Sequence, residues 1–126
     1  AASKSRDAAF RAAVVFYPAV VRASGYRNDL PILALQGTND NVMPEDELRA
    51  FAAGREDGSV PLEIVALEGA ANGFDVPSLS PARERRFPSG SSQSFAYNAE
   101  ATGVARVALE RFLREHNIVG GGCAAR

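Results

Sequence analysis

The chain has 126 residues, of which 46% are hydrophobic and 23% charged, and its formal net charge is −1. This length supports one small domain with a modest core, and we expect residues 1–126 to form a single domain with flexible ends at 1–9 and 119–126. The balanced charge gives no electrostatic reason to expect nucleic acid or an anionic membrane as a partner. With one cysteine, Cys123, and no ligand spacing for a transition metal, the sequence predicts no disulfide within the chain, no metal and no cofactor.

No apolar run approaches the roughly 18 residues that a membrane span requires. The N-terminus also lacks the charged-then-apolar plan of a signal peptide. These two features favour a cytoplasmic chain and leave open the compartment of any longer parent protein.

Three short apolar runs bounded by turn signals predict buried strands of a parallel sheet. They are AAVVFYP at 12–18, the run at 31–36 within LPILALQG, and PLEIVAL at 61–67. A helix is predicted from Pro44 to about Arg55, because proline suits the first helical position and three acidic residues follow it.

The last element is the clearest one. Asn98 is the expected N-cap of a helix whose apolar positions recur with helical spacing, namely Ala101, Val104, Ala105, Ala108, Leu109, Phe112 and Leu113. Gly120 to Gly122 are expected to end regular structure.

Residues 68–96 contain several prolines and a Gly-Ser-Ser-Gln-Ser tract, and they are predicted to form a long loop. The basic cluster of Arg83, Arg85 and Arg86 falls in it and is interpreted as solvated surface.

The element order predicts an α/β layer of about three parallel strands with flanking helices. Parallel strands need apolar cover on both faces and partners on both edges. Two helices leave part of that surface uncovered, and the strand at 12–18 is the expected open edge. We therefore expect a chain that belongs to a larger fold or associates with another chain.

Asp40 is the position where function is most strongly indicated. It follows the central strand and precedes a helix, and open α/β sheets place their chemistry at that edge. The alternative is an aspartate that only forms a turn or caps the helix.

Four segments in order resemble the C-terminal half of an α/β-hydrolase of the dienelactone hydrolase family. They are the strand ending in Tyr17-Pro18, the G-x-x-D-x-x-x-P segment at 37–44, the G-A-x-N-G-F-D-x-P segment at 69–77, and the terminal FLREH at 112–116. The resemblance implies that Asp40 occupies the position of the acid of the catalytic triad, and that Asn72 occupies the position of the histidine.

Asparagine cannot replace a catalytic histidine, because it has no titratable nitrogen near neutrality. His116 is not expected to substitute, since it lies near the end of the last helix. No G-x-S-x-G elbow is present in the 126 residues; Gly90 to Ser94 is the nearest match, and in the family the nucleophile would precede residue 1. Asp75 and Glu68 are further carboxylates without an assigned part.

Two functional hypotheses follow. The first is an ester or lactone hydrolase half, inactive alone, with a small ester or lactone as the ancestral substrate and a complementary N-terminal half as partner. The second is a non-catalytic α/β module for self-association or binding. A flavodoxin-like ligand-binding domain is a weaker third, because no phosphate-binding loop follows the first strand.

Overall fold

The computed structural model of the protein describes residues 10–19 and 26–118. The expected flexible ends, the glycines at 120–122 and Cys123 lie outside the described residues. The elements in chain order are β1 (Ala13–Phe16), β2 (Ile32–Gly37), α1 (Glu45–Ala53), β3 (Leu62–Leu67), a single 3-10 turn (Pro77–Leu79), β4 (Arg83–Arg86), β5 (Ser92–Phe95) and α2 (Ala99–Glu115).

The three predicted strands form one parallel sheet in the order β1-β2-β3, which confirms the predicted fold class. β2 is central, as expected for the strand that leads to Asp40. Within the described residues, β1 and β3 each pair along one edge only.

The side chains of β2 divide the core between two faces of the sheet because successive residues of a strand point to opposite sides. Leu33 and Leu35 are fully buried against the α2 side. Ala34 packs instead with Met43 and Leu48 on the α1 side. The central strand is therefore covered on both faces, the arrangement that its continuous apolar run predicts.

Helix α2 begins as predicted, with the Asn98 side chain accepting a hydrogen bond from the backbone N–H of Ala101 at 2.9 Å. Four of the predicted apolar positions are buried: Ala101, Ala105, Ala108 and Phe112. The expectation for Val104 was wrong, since that side chain is 50% exposed. The buried face of α2 therefore includes fewer residues than the apolar face that the sequence predicts.

The prediction of a long loop over residues 68–96 was also wrong. β4 and β5 pair there as an antiparallel hairpin, with Arg83 opposite Phe95 and Arg86 opposite Ser92. All four residues of β4 are exposed, so the basic cluster is solvated as predicted but lies on a strand. The apolar alternation typical of a strand is missing from β4.

Candidate functional site

The loop that follows β2 is organised by the carboxylate of Asp40, which is only 5% exposed. Its Oδ1 accepts hydrogen bonds from the backbone N–H of Val42 at 2.8 Å and of Met43 at 3.0 Å. These bonds fix the turn that leads into α1, which is a common structural use of aspartate. Oδ2 remains free to face the neighbouring loop.

The loops after β2 and β3 are held together by their backbones. The N–H of Asn39 donates to the carbonyl oxygen of Ala70 at 2.9 Å. Gly37 makes this approach possible, because a Cβ at its position would overlap that same carbonyl oxygen. The two strand ends are therefore drawn together, and Asp40 comes close to the segment that follows Ala70.

Asn72 lies in that segment and contacts Asp40 directly. Its Nδ2 donates a hydrogen bond to Oδ2 of Asp40 at 3.2 Å. The next residue, Gly73, has φ of +78°, a conformation that glycine adopts without a steric penalty. The sequence predicted that Asp40 and Asn72 would meet at neighbouring strand ends, and the hydrogen bond confirms that proximity.

The hairpin of β4 and β5 is attached to the same edge of the sheet through two asparagines. The Asn41 side chain donates to the carbonyl of Ser92 at 3.2 Å and accepts from the N–H of Ser94 at 2.8 Å. The backbone carbonyl of Asn72 accepts from the N–H of Ala96 at 3.2 Å. The hairpin therefore borders the Asp40–Asn72 pair, a placement that sequence reasoning missed.

The pair has a defined chemical capacity. The carboxylate accepts hydrogen bonds, and the amide of Asn72 both donates and accepts them. The Asn72 amide neither gains nor releases a proton by titration near neutral pH, so it can orient a neighbour but cannot act as a general base in the way an imidazole does.

The sequence model of the dienelactone hydrolase family matches residues 1–117 of the 126. The chain belongs to the dienelactone hydrolase family. No curated protein and no solved structure matched it. Membership makes hydrolase-type chemistry the natural function to consider for the edge that carries Asp40.

This member of the dienelactone hydrolase family has a second polar pair at the same edge. Tyr17 follows β1 directly, and its ring packs edge-on against the buried ring of Phe74, with centroids 5.6 Å apart. Burial raises the pKa of the Tyr17 hydroxyl, and the nearby carboxylate of Asp75 raises it further. The sequence marked both residues but gave no signal that they would meet.

His116 lies far from the pair, as predicted. It caps the C-terminal end of α2, where its ring contacts that of Phe112 with centroids 4.5 Å apart. The other end of α2 is fixed beside the site, because the N–H of Asn98 donates to the carbonyl of Phe74 at 2.8 Å. At 1.5 Å per residue the helix is roughly 26 Å long, which places His116 out of reach of Asp40.

The other carboxylate that the sequence singled out, Glu68, has no contact with the Asp40–Asn72 pair among the hydrogen bonds of the described residues. Glu68 lies exposed in the turn after β3. In the part of the chain that the structure describes, no group of three or more histidine, cysteine, aspartate or glutamate side chains could hold a metal ion. Over the same residues, no helix has the length and apolar character needed to cross a membrane.

Proposed function

We propose that Asp40 occupies the triad-acid position of an ester or lactone hydrolase site, that Asn72 occupies the histidine position, and that these 126 residues do not hydrolyse esters unaided. The observation that carries this proposal is the hydrogen bond from Asn72 Nδ2 to Asp40 Oδ2 at 3.2 Å. It has the same direction as the bond in a catalytic triad, where an imidazole N–H donates to the carboxylate of the acid.

The loss of activity follows from the chemistry of the side chain at position 72. In acyl transfer, an imidazole takes the proton of the nucleophile and returns it to the leaving group. The amide of Asn72 accepts no proton at neutral pH, so both transfers lack their carrier. Triad members act as a unit, and removal of one costs most of what all three contribute.

A complementary N-terminal half is the partner that we propose for hydrolysis. Such a half would supply a nucleophile elbow, and β1 offers a place for it, since one edge of β1 is unpaired within the described residues. That edge adjoins Tyr17, so a strand added there would end near the Asp40–Asn72 pair.

A chromogenic short-chain ester tests the proposal. The chain alone should give no turnover above that of Asp40→Ala, and turnover that Asp40→Ala abolishes would contradict the proposal. The complementary experiment combines Asn72→His with a co-expressed N-terminal half of a dienelactone hydrolase. Activity that requires both the substitution and Asp40 is expected, whereas equal activity with Asn72 retained would contradict the assignment of position 72.

A non-catalytic module that associates with a second copy is the alternative function. An apolar groove of about 270 Å³ on the α1 side favours it. This groove is lined by side chains from all three strands of the sheet and from α1, which include Val15, Ile32, Leu48 and Phe51. Size-exclusion chromatography with light scattering tests this alternative, because a monomer at high concentration would argue against it.

A further inference from the structure

β4 is the outer strand of the hairpin that borders the Asp40–Asn72 pair. Within the described residues it pairs with β5 along one side only, and all four of its residues are exposed. β5 is held to the body of the protein along its other side, where the N–H of Ala96 donates to the carbonyl of Asn72 at 3.2 Å. The hairpin is therefore fixed in place and has one open strand edge, the feature to which a further strand can be added.

The contacts of Asn41 show which backbone groups of β4 point outward. The Asn41 side chain bonds to the carbonyl of Ser92 and to the N–H of Ser94, so these groups of β5 point away from β4. Ser94 lies opposite Glu84, and Ser92 lies opposite Arg86. In an antiparallel pair, two opposed residues direct their backbone groups either at each other or both away. The N–H and carbonyl groups of Glu84 and Arg86 therefore point outward, and no other residue that the structure describes bonds to them.

The side chains of β4 form two faces with different charge, because alternate residues of a strand point to opposite sides. On one face Glu84 and Arg86 form an ion pair at 3.3 Å, so their charges offset each other. On the other face lie Arg83 and Arg85, which have no acidic partner among the salt bridges of the described residues. The guanidinium of Arg85 lies 4.9 Å from the centroid of the Phe87 ring, a cation–π contact that restrains it. This face therefore presents two uncompensated positive charges beside an open edge.

We propose that β4 binds an extended acidic segment of another protein, which adds to the open edge as an antiparallel third strand. The added strand bonds to the outward N–H and carbonyl groups of Glu84 and Arg86. Its acidic side chains lie opposite Arg83 and Arg85, where the pairing is of the non-hydrogen-bonded kind and side chains approach most closely. A second copy of β4 fits less well, since it brings the same excess of positive charge. The proposal does not depend on the proposed hydrolase site.

A short peptide with alternating acidic residues tests the proposal: acetyl-Thr-Val-Asp-Val-Asp-Val-Thr-amide, whose two aspartates share one face of an extended strand. One matched peptide carries asparagine in place of both aspartates. A second has the two aspartates adjacent, which puts them on opposite faces at the same net charge. Each is titrated into the full chain at low ionic strength, where charge pairs at a surface are least screened, and the backbone amide signals of residues 83–86 are followed by NMR.

The expected order of affinity follows from the two charge pairs. The alternating peptide should bind about tenfold more tightly than the asparagine peptide, because it gains two cross-strand pairs of opposite charge. It should bind about threefold more tightly than the peptide with adjacent aspartates, which gains only one such pair. Equal binding of the three peptides, or no binding of any, would overturn the proposal.

N-methylated peptides separate strand addition from general charge attraction. In the proposed register the central valine donates its N–H to β4, whereas the N–H groups of the two aspartates point away. Methylation of the central valine nitrogen should therefore abolish binding, and methylation of an aspartate nitrogen should leave it largely intact. The amide protons of Glu84 and Arg86 should exchange with solvent more slowly in the complex. Binding that survives methylation of the central valine would overturn the proposal.

Variants of the protein test the two arginines. Arg83→Gln combined with Arg85→Gln should remove the preference for aspartate over asparagine. Arg86→Gln is the matched control, since Arg86 lies on the other face of β4 and should leave the preference in place. An unchanged preference in the double variant, shown folded by its NMR spectrum, would refute the assignment. Slow exchange of the Glu84 and Arg86 amides in the peptide-free chain at high concentration would indicate a second copy on this edge and would overturn the proposal as well.

Discussion

Replacement of Asp40 by alanine should destabilise the chain strongly, whether or not the site is catalytic. The carboxylate accepts three hydrogen bonds, from the N–H groups of Val42 and Met43 and from the amide of Asn72. It is almost fully buried, so water replaces little of what alanine removes. Two backbone donors and one side-chain donor then lose their partner together.

The expected magnitude follows from these three bonds. One hydrogen bond contributes about 1 kcal/mol net, and more where the acceptor is charged. Asp40→Ala should therefore lower the free energy of unfolding by about 3–4 kcal/mol. This is a large loss for a domain whose total stability is of order 5–15 kcal/mol.

Asp40→Asn is the matched comparison. Its carbonyl oxygen can still accept from Val42 and Met43, so the turn into α1 is kept. Its new NH₂ group faces the NH₂ of Asn72, and the Asn72 amide can rotate to present its oxygen instead. The loss should be only about 1 kcal/mol, and Asn72→Ala should cost a similar amount because it removes one bond.

Urea denaturation followed by far-UV circular dichroism measures these differences, because the chain has no tryptophan for fluorescence. The order of stability should be wild type, then Asp40→Asn and Asn72→Ala together, then Asp40→Ala. An Asp40→Ala variant within about 0.5 kcal/mol of wild type, the usual range of a surface substitution, would refute the reasoning.

Two further predictions concern other parts of the structure. Gly37→Ala should lower the free energy of unfolding, measured by urea denaturation, by at least about 2 kcal/mol, because its Cβ would overlap the Ala70 carbonyl. The control Gly103→Ala, in open space on α2, should raise it by about 0.5–1 kcal/mol. The reverse order would contradict the close approach of the two loops. The raised pKa of Tyr17 means that the unfolded chain loses this proton first as pH rises past about 10, so the contribution of the hydroxyl is complete below that pH and is lost as pH rises through the folded-state pKa. The stability of wild type relative to Tyr17→Phe should therefore fall between pH 8 and pH 11, and a constant difference would contradict the raised pKa.

The parallel sheet and α2 could be predicted because their signals are local. The apolar run of β2 and the regular apolar spacing of α2 each arise from burial of one continuous segment. The proximity of Asp40 and Asn72 could be predicted from the same sheet, since both residues lie in loops that follow neighbouring parallel strands.

The hairpin could not be predicted in the same way. The sequence of β4 is RERR and that of β5 is SQSF, and neither shows the apolar alternation of a strand. β5 is held at the sheet edge by the distant side chain of Asn41. Hydrogen bonds between residues more than 50 positions apart in the chain produce no local pattern in the sequence.

The Tyr17–Asp75 pair escaped prediction for another reason. The sequence gives no sign that a tyrosine adopts a positive φ, because bulky residues seldom do so. Only the fold brings Tyr17 and Asp75 near each other.

The central claim is that positions 40 and 72 are the acid and histidine positions of a triad, and the imidazole introduced by Asn72→His tests it most directly. His116 is the only other histidine, so NMR can follow both titrations in one sample. Contact with the Asp40 carboxylate should raise the pKa of the new imidazole by about one unit or more relative to the same imidazole in Asn72→His combined with Asp40→Asn. Identical titration of that imidazole in the two variants would contradict the claim.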